Sequence, residues 1–255
     1  MELMAGDFSS KFCYTVFHTD KPAEKPHEYI REFCVKSITS IIPFETLDTP
    51  TVFIKNIEEV KKFLKDNPEF ILDPKGYDPE HNRSNNEYDR NKANPQGWRY
   101  STIGIWASSY TAYKNFLKSE YDYLLIFEDD MLIQNDFMDV FTTHFSELPN
   151  GWDVYYHFNP GSPRLTKKVT EHLARPTQIW SNAAYVMSRK GAEKAVQSAE
   201  TAPGAYLPID WHFLKQLNIF DIYTSQQNKY SACRLARVAS SYHGLEEYKD
   251  LTGLL

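Results

Sequence analysis

Three consecutive carboxylates, Glu128, Asp129 and Asp130, follow directly on the apolar and aromatic run Tyr123–Phe127. Adjacent carboxylates repel one another unless a cation sits among them, and hard divalent ions take oxygen ligands. Mg²⁺ and Mn²⁺ use one or two protein carboxylates and complete their shell with water and substrate phosphates. A strand ending in such acids is therefore a natural platform for a metal and a diphosphate. The plainer reading is an acidic turn leading into the next element. Because strand side chains alternate faces, Glu128 and Asp130 are expected on one side and Asp129 turned away into structure. A further acid, Asp210, stands in "LPIDWHF" where a helix begins. That position suits a helix N-cap.

These acids need elements to hold them. "KFCYTVFHT" (11–19) and "TVFI" (51–54) read as strands, and residues 26–43 and 57–66 carry apolar residues at helical spacing. Ile103, Trp106, Tyr110, Tyr113 and Leu117 recur at helical spacing across 98–119. A strand at 123–127 precedes a helix at 135–145, then strands at 153–158 and 178–187. Helices at 188–199, with Ser188 as N-cap, and at 210–218 lead to a last strand at 219–224. Strands alternating with helices predict an α/β fold with a mostly parallel sheet, whose strand carboxyl ends are where ligands bind. The polar stretch 73–97 interrupts this pattern and reads as one long surface loop.

A chain of 255 residues is long enough for a sizeable core, here expected as a single domain over 1–255. With 42% hydrophobic and 24% charged residues the composition is that of an ordinary globular protein. The net charge of −6 argues against a broad phosphate-backbone footprint. Aromatics are abundant, with 17 Tyr and 16 Phe, and aromatic surface suits sugars and bases as well as a Tyr-rich core. Cys13, Cys34 and Cys233 lie far apart, without zinc spacing, so a reduced, cytoplasmic setting is the expectation. No apolar run reaches the roughly 18–20 residues of a membrane span, and no signal peptide is evident.

Four ordered segments resemble glycosyltransferase family 25, the lipooligosaccharide and procollagen galactosyltransferase type. "YDYLLIFEDDMLI" resembles its "LILEDD" segment, and "YSTIGIWASSYTAYKNFL" is similar to its "GEIGCALSHLLAW" helix. "WSNAAYVMSRKGAEKAV" is like its "GTAGYVISRKGAEKLL", and "PIDWHF" like its "PVDWYL". Together they cover about a third of the chain. The chain departs from the family at its opening, "YTVFHTDKPAEKP", and in the 73–97 loop.

The resemblance implies a GT-A fold and a metal-dependent, inverting hexosyl- or pentosyltransferase using a nucleotide-diphospho-sugar, most simply UDP-linked, with Mn²⁺ or Mg²⁺. The acids then correspond to a DxD-like motif, with Asp130 and Glu128 on the metal and Glu128 or Asp129 toward the donor. It further implies His243 as a metal ligand, Asp210 as general base, and Thr15, Phe17 and His18 beside the nucleotide base. Arg99 would meet the diphosphate, as would Lys190 unless it lies on a solvated helix face; Ser181, Asn182 and Trp211 would line the acceptor side. The default acceptor is a surface-glycan saccharide. A hydroxymethylated base in phage or viral DNA is the alternative, for which Lys75, Arg83, Arg90, Lys92 and Arg99 supply basic residues among aromatics; the setting would then be host cytoplasm. A nucleotidyltransferase or an inactive sugar-binding module are the readings from other classes.

Overall fold

A computed structural model of the chain describes residues 10–18, 25–73, 100–159, 166–179, 181–206, 208–226 and 233–235. In chain order the elements are β1 (Phe12–Phe17), α1 (Lys25–Ile41), β2 (Glu45–Thr46), α2 (Ile57–Asp66) and α3 (Tyr100–Lys118). Then come β3 (Tyr123–Glu128), β4 (Met131–Ile133), α4 (Phe137–Glu147), β5 (Val154–Tyr156), β6 (Thr166–Lys168) and β7 (Leu173–Pro176). β8 (Ala184–Ser188), α5 (Arg189–Glu200), α6 (Ile209–Lys215), β9 (Ile222–Ser225) and β10 (Cys233–Leu235) complete the order. Among the described residues no helix is long and apolar enough to cross a membrane.

Eight strands form one sheet in the order β2-β1-β3-β8-β5-β9-β7-β6, and β10 pairs with β4 in a small second sheet. The large sheet is mixed, where alternating strands and helices led us to expect mostly parallel pairing. β1–β2, β1–β3 and β5–β9 are parallel, whereas β8 runs against both of its neighbours. β7 likewise runs against β9 and β6. The result is an α/β fold with a mixed central sheet flanked by helices.

Helices cover both faces of this sheet. On one face Leu124 and Ile126 of β3 pack with Trp106, Tyr110, Tyr113 and Phe116 of α3, with Ala192 and Ala195 of α5, and with Phe213 of α6. On the other, Leu125 and Phe127 pack with Ile38 and Ile42 at the end of α1 and with Phe137 and Phe141 of α4. The alternation along β3 is thus apolar on both sides, as a strand buried between two helical layers requires. α5 begins as the sequence predicts: Ser188 Oγ accepts from Gly191 N at 3.0 Å. At Gly191 a Cβ would meet the Asp153 carbonyl oxygen at 2.2 Å, so only glycine lets this helix approach β5.

The run 51–54 is extended without joining the sheet. Its Val52 N–H donates to Ser108 Oγ at 2.8 Å, and Gly104 lets that segment lie against α3. Side-chain and backbone partners on a helix have replaced the ladder that its β-branched composition suggested. The sequence reading also passed over β4, β6, β7 and β10, each of three or four residues, too short to show a period.

Candidate functional site

The register places one row of side chains across the carboxyl ends of the parallel strands. Thr15 of β1 pairs with Ile126 of β3, Ile126 with Tyr185 of β8, Tyr185 with Tyr156 of β5, and Tyr156 with Thr224 of β9. Residues opposite one another share a face, so this row looks toward α3, α5 and α6. Glu128 stands on that same face one pleat beyond Ile126, at the strand's last residue, with its N–H on the Ala183 carbonyl at 2.8 Å. Its charge reaches the Tyr185 hydroxyl.

A buried polar chain fills the row. The Tyr113 and Tyr185 hydroxyls are 2.6 Å apart, and the Tyr156 hydroxyl donates to Asn182 Oδ1 at 3.3 Å. The Tyr156 and Tyr185 rings are 5.5 Å apart, and Asn182 and Ser109 lie beside the Tyr185 hydroxyl. Tyr113, Tyr156, Tyr185 and Ser109 are fully buried and Asn182 nearly so. Burial pushes Tyr113 and Tyr156 well above the usual phenol range, so these groups work as neutral hydroxyls. No sequence signal marked the three tyrosines as a set, because they come from one helix and two strands.

Asp210 meets the row from α6. Its charge is felt at the Tyr156 hydroxyl. Burial pushes its carboxyl up to about 6, against the backbone hydrogen bond from Trp211 N at 3.0 Å. The N-cap expectation is corrected: the cap is Pro208, and Asp210 is the second residue of the helix, its carboxylate accepting from the next residue's N–H. Proline fits this start because it lacks an N–H and holds a helix-compatible φ. Two interior side chains fix the approach to the helix. Trp106 Nε1 donates to the Tyr206 carbonyl at 2.8 Å, and Tyr206 N–H donates to His212 Nδ1 at 3.1 Å. His212 Nε2 in turn lies 2.8 Å from Ser198 Oγ.

Asp129 and Asp130 occupy the turn between β3 and β4, where strand alternation no longer applies. Asp129 turns toward Arg31 of α1. It is 1% exposed, with Arg31 Nε at 3.6 Å and His18 Nδ1 at 3.7 Å. The Asp129 carboxylate holds the His18 imidazole above its ordinary pKa. Asp130 follows Asp129 in the turn, with one carboxylate oxygen buried. After burial, its charge is the next cause that raises the Cys34 thiol of α1 to about 12.

Thr15 and Phe17 are buried side chains of the row's face, Phe17 within the core. Exposed His18 remains at the strand's end, its N–H on Thr51 Oγ1 at 3.1 Å. Ser181 is half-buried and accepts from Ala183 N at 3.2 Å, beginning the turn that carries Asn182. Trp211 is partly exposed beside Asp210. Lys190 is at the wrong end for a diphosphate. β8 is antiparallel to β3, so its carboxyl end lies beside Tyr123, and Lys190 there holds the Gly151 carbonyl at 2.9 Å. Arg99, His243 and the stretch 74–97 lie outside the described residues. β10 nevertheless leads the chain toward the acids, since Leu235 pairs with Met131.

Among the described residues no three His, Cys, Asp or Glu side chains converge as a metal cage. The donor chemistry still suits a hard divalent ion, because Glu128 and Asp130 offer carboxylate oxygens at a strand end. Mg²⁺ or Mn²⁺ needs no more than one or two of these when a diphosphate and water supply the rest.

Residues 57–213 match the family model for glycosyltransferase family 25 (LPS biosynthesis protein). That stretch carries Glu128, Asp130, Asn182, Asp210 and all three tyrosines. A procollagen lysyl hydroxylase and glycosyltransferase of Acanthamoeba polyphaga mimivirus is 28% identical over 130 residues, 47% of this chain. The match spans 14% of the length of that relative. Among solved structures, a glycosyltransferase involved in glycosylation of the major capsid of PBCV-1 has a TM-score of 0.37 at 10% identity, over 82% of this chain and 76% of that one. A Drosophila beta-1,4-galactosyltransferase 7 variant, in complex with manganese, UDP-Gal and xylobiose, has a TM-score of 0.40 at 12% identity, over 95% and 79%. An inositol-1-phosphate CTP transferase of T. maritima has a TM-score of 0.30 at 12% identity, over 88% and 94%. These three likenesses are distant, and the assignment rests on the family model, which takes in well over half of the sequence: the chain belongs to glycosyltransferase family 25.

Proposed function

We propose that this glycosyltransferase moves a hexosyl group from a UDP-linked sugar, bound in the GT-A manner, to a hydroxyl of a saccharide, with inversion at the anomeric carbon. One observation carries the reading. Glu128 lies one pleat beyond Ile126 on the row's face, and Asp210 on the helix whose Ile209 and Phe213 pack against that face. They come from remote elements, and the charge of one reaches Tyr185 and of the other Tyr156.

In this scheme Asp210 accepts the proton of the acceptor hydroxyl as its oxygen bonds to the anomeric carbon. The bond from that carbon to the diphosphate breaks, and the nucleotide diphosphate departs. A carboxyl near pH 6 is well matched to this task, ionised at neutral pH yet more basic than an exposed aspartate. Glu128 and Asp130 would hold Mn²⁺ or Mg²⁺, with His243 as a further ligand. When bound, the ion neutralises charge on the leaving diphosphate. Trp211 offers an aromatic face to a sugar ring, and Asn182 an amide to its hydroxyls.

The test is a donor panel of UDP-, GDP- and CMP-sugars with Mn²⁺ and a saccharide acceptor, following nucleotide release and product stereochemistry. UDP release with an inverted linkage, lost in Asp210→Asn and in Glu128→Gln, is the expected result. Wild-type turnover in Asp210→Asn sinks the assignment of the base. NTP turnover without a sugar would move the protein to another reaction class.

A further inference from the structure

The row contains a hydrogen-bond sequence that the proposed transfer does not yet use. The Tyr156 hydroxyl donates to Asn182 Oδ1 at 3.3 Å, which decides the amide's orientation. With Oδ1 so engaged, the buried Asn182 Nδ2 is turned away from Tyr156 and serves the Tyr185 hydroxyl instead. Tyr185, on the strand that Asn182 leads into, has its hydroxyl beside both Asn182 and Glu128 and 2.6 Å from that of Tyr113. Ser109 Oγ, also buried, interacts with the Tyr113 and Tyr185 hydroxyls. Buried polar groups are normally satisfied. Here they satisfy one another in a single network that lies between the carboxylates of the proposed site.

We propose that Tyr156 and Tyr185 are positioning residues of transfer, holding the Asn182 amide between them in one orientation so that the donor end at Glu128 and the acceptor end at Asp210 share a rigid polar floor. The inference rests on the proposed roles of Glu128 and Asp210. Its physical basis is directional. Reversing the Asn182 amide would set its NH₂ against Tyr156, whose hydroxyl would have to turn about to accept. A network with one stable sense holds its members more tightly than isolated bonds do. Tyr156 acts on the acceptor end, because Asp210 is its charged neighbour. Tyr185 acts on the donor end, because Glu128 is.

The experiment uses the full chain, UDP-galactose and Mn²⁺, and measures UDP release under steady state, well below each variant's Tm. Tyr156→Phe keeps the ring and removes the hydroxyl; it is expected to lower kcat about tenfold with donor KM altered less than about twofold. Tyr185→Phe is expected to raise donor KM about tenfold. Asn182→Leu removes the shared amide, and Tyr156→Phe added to it should have no further effect, since residues in one network couple. This double variant also decides the matter if either Tyr variant folds poorly alone. Wild-type kcat and KM in both Phe variants, or losses that multiply with Asn182→Leu, overturn the inference while Asp210→Asn stays inactive. Should Asp210→Asn itself keep wild-type activity, the site assignment falls and the inference with it.

Discussion

Trp106 and His212 meet edge to face with 4.9 Å between ring centroids, and they hold opposite ends of one residue's backbone, that of Tyr206. This clamp sets the chain just before the helix that carries Asp210. Burial holds the His212 imidazole down to about 4, so at neutral pH Nδ1 is free of a proton and accepts. Replacing His212 by Leu leaves the Tyr206 N–H buried and unpaired, a loss of about 1–3 kcal/mol. Thermal unfolding should show it as about 2–4 °C per kcal/mol. An unchanged Tm would mean that the clamp does not hold this segment.

The two acids of the β3–β4 turn are expected to separate stability from activity. Asp129 is buried against Arg31 and His18, so Asp129→Ala leaves Arg31 beside a lost partner and should destabilise by about 3–5 kcal/mol. Asp130→Ala should leave Tm within a few degrees of wild type and abolish Mn²⁺-dependent UDP release. Equal Tm losses in the two variants would contradict this division.

Asp210 makes a pH prediction with two parts. Its folded pKa of about 6 lies above the ordinary aspartate value, so kcat/KM should rise with pH through about 6 as the base ionises. Its effect on stability has the opposite direction. The folded state binds more protons than the unfolded state between about pH 4 and 6, so this group lowers stability as pH rises across that window. Asp210→Asn should therefore be inactive yet at least as stable as wild type at pH 7.5. An acid limb that persists unchanged in a partly active Asp210 variant would assign that limb to another group.

Three interior histidines dominate stability in acid. Burial holds His144 down to about 4 and His157 to about 3, with His212 also near 4. In the unfolded chain each titrates near 6.5. Protons therefore favour the unfolded state as pH falls below about 6.5, and stability is lost toward pH 4, against the smaller opposite trend of Asp210. A Tm series from pH 8 to 4 should show the decline. His144→Gln, which removes one of the three groups, should flatten it; a flat wild-type profile between pH 7 and 5 would contradict the account.

Much of the frame was legible because periodicity reports burial. The spacing of Ile103, Trp106, Tyr110 and Tyr113 announced α3, and all four are buried in the core. The apolar run Tyr123–Phe127 announced a strand covered on both faces. Ser188 was readable as a cap because a short hydroxyl side chain before a helix has one efficient partner, the N–H three residues on. Strand direction left no comparable trace. Nothing in "AAYVMS" distinguishes a parallel from an antiparallel neighbour, so the sequence leaves Lys190 between a diphosphate contact and a solvated helix face, and β8 delivers it, exposed, to the edge away from the acids.

What the sequence determined by itself was local: which segments could bury an apolar face, where a strand stops in carboxylates, and an ordered set of family segments around them. What the tertiary structure alone decided was which of those residues meet. It turned Asp129 into a buried partner of Arg31, drew Asp210 off the helix cap and beside Tyr156, and assembled Tyr113, Tyr156, Tyr185 and Asn182 into one polar row. The reason is physical. Burial and strand alternation depend on neighbours a few positions away, whereas hydrogen-bond networks and shifted carboxyl groups depend on register and packing between elements far apart in the chain.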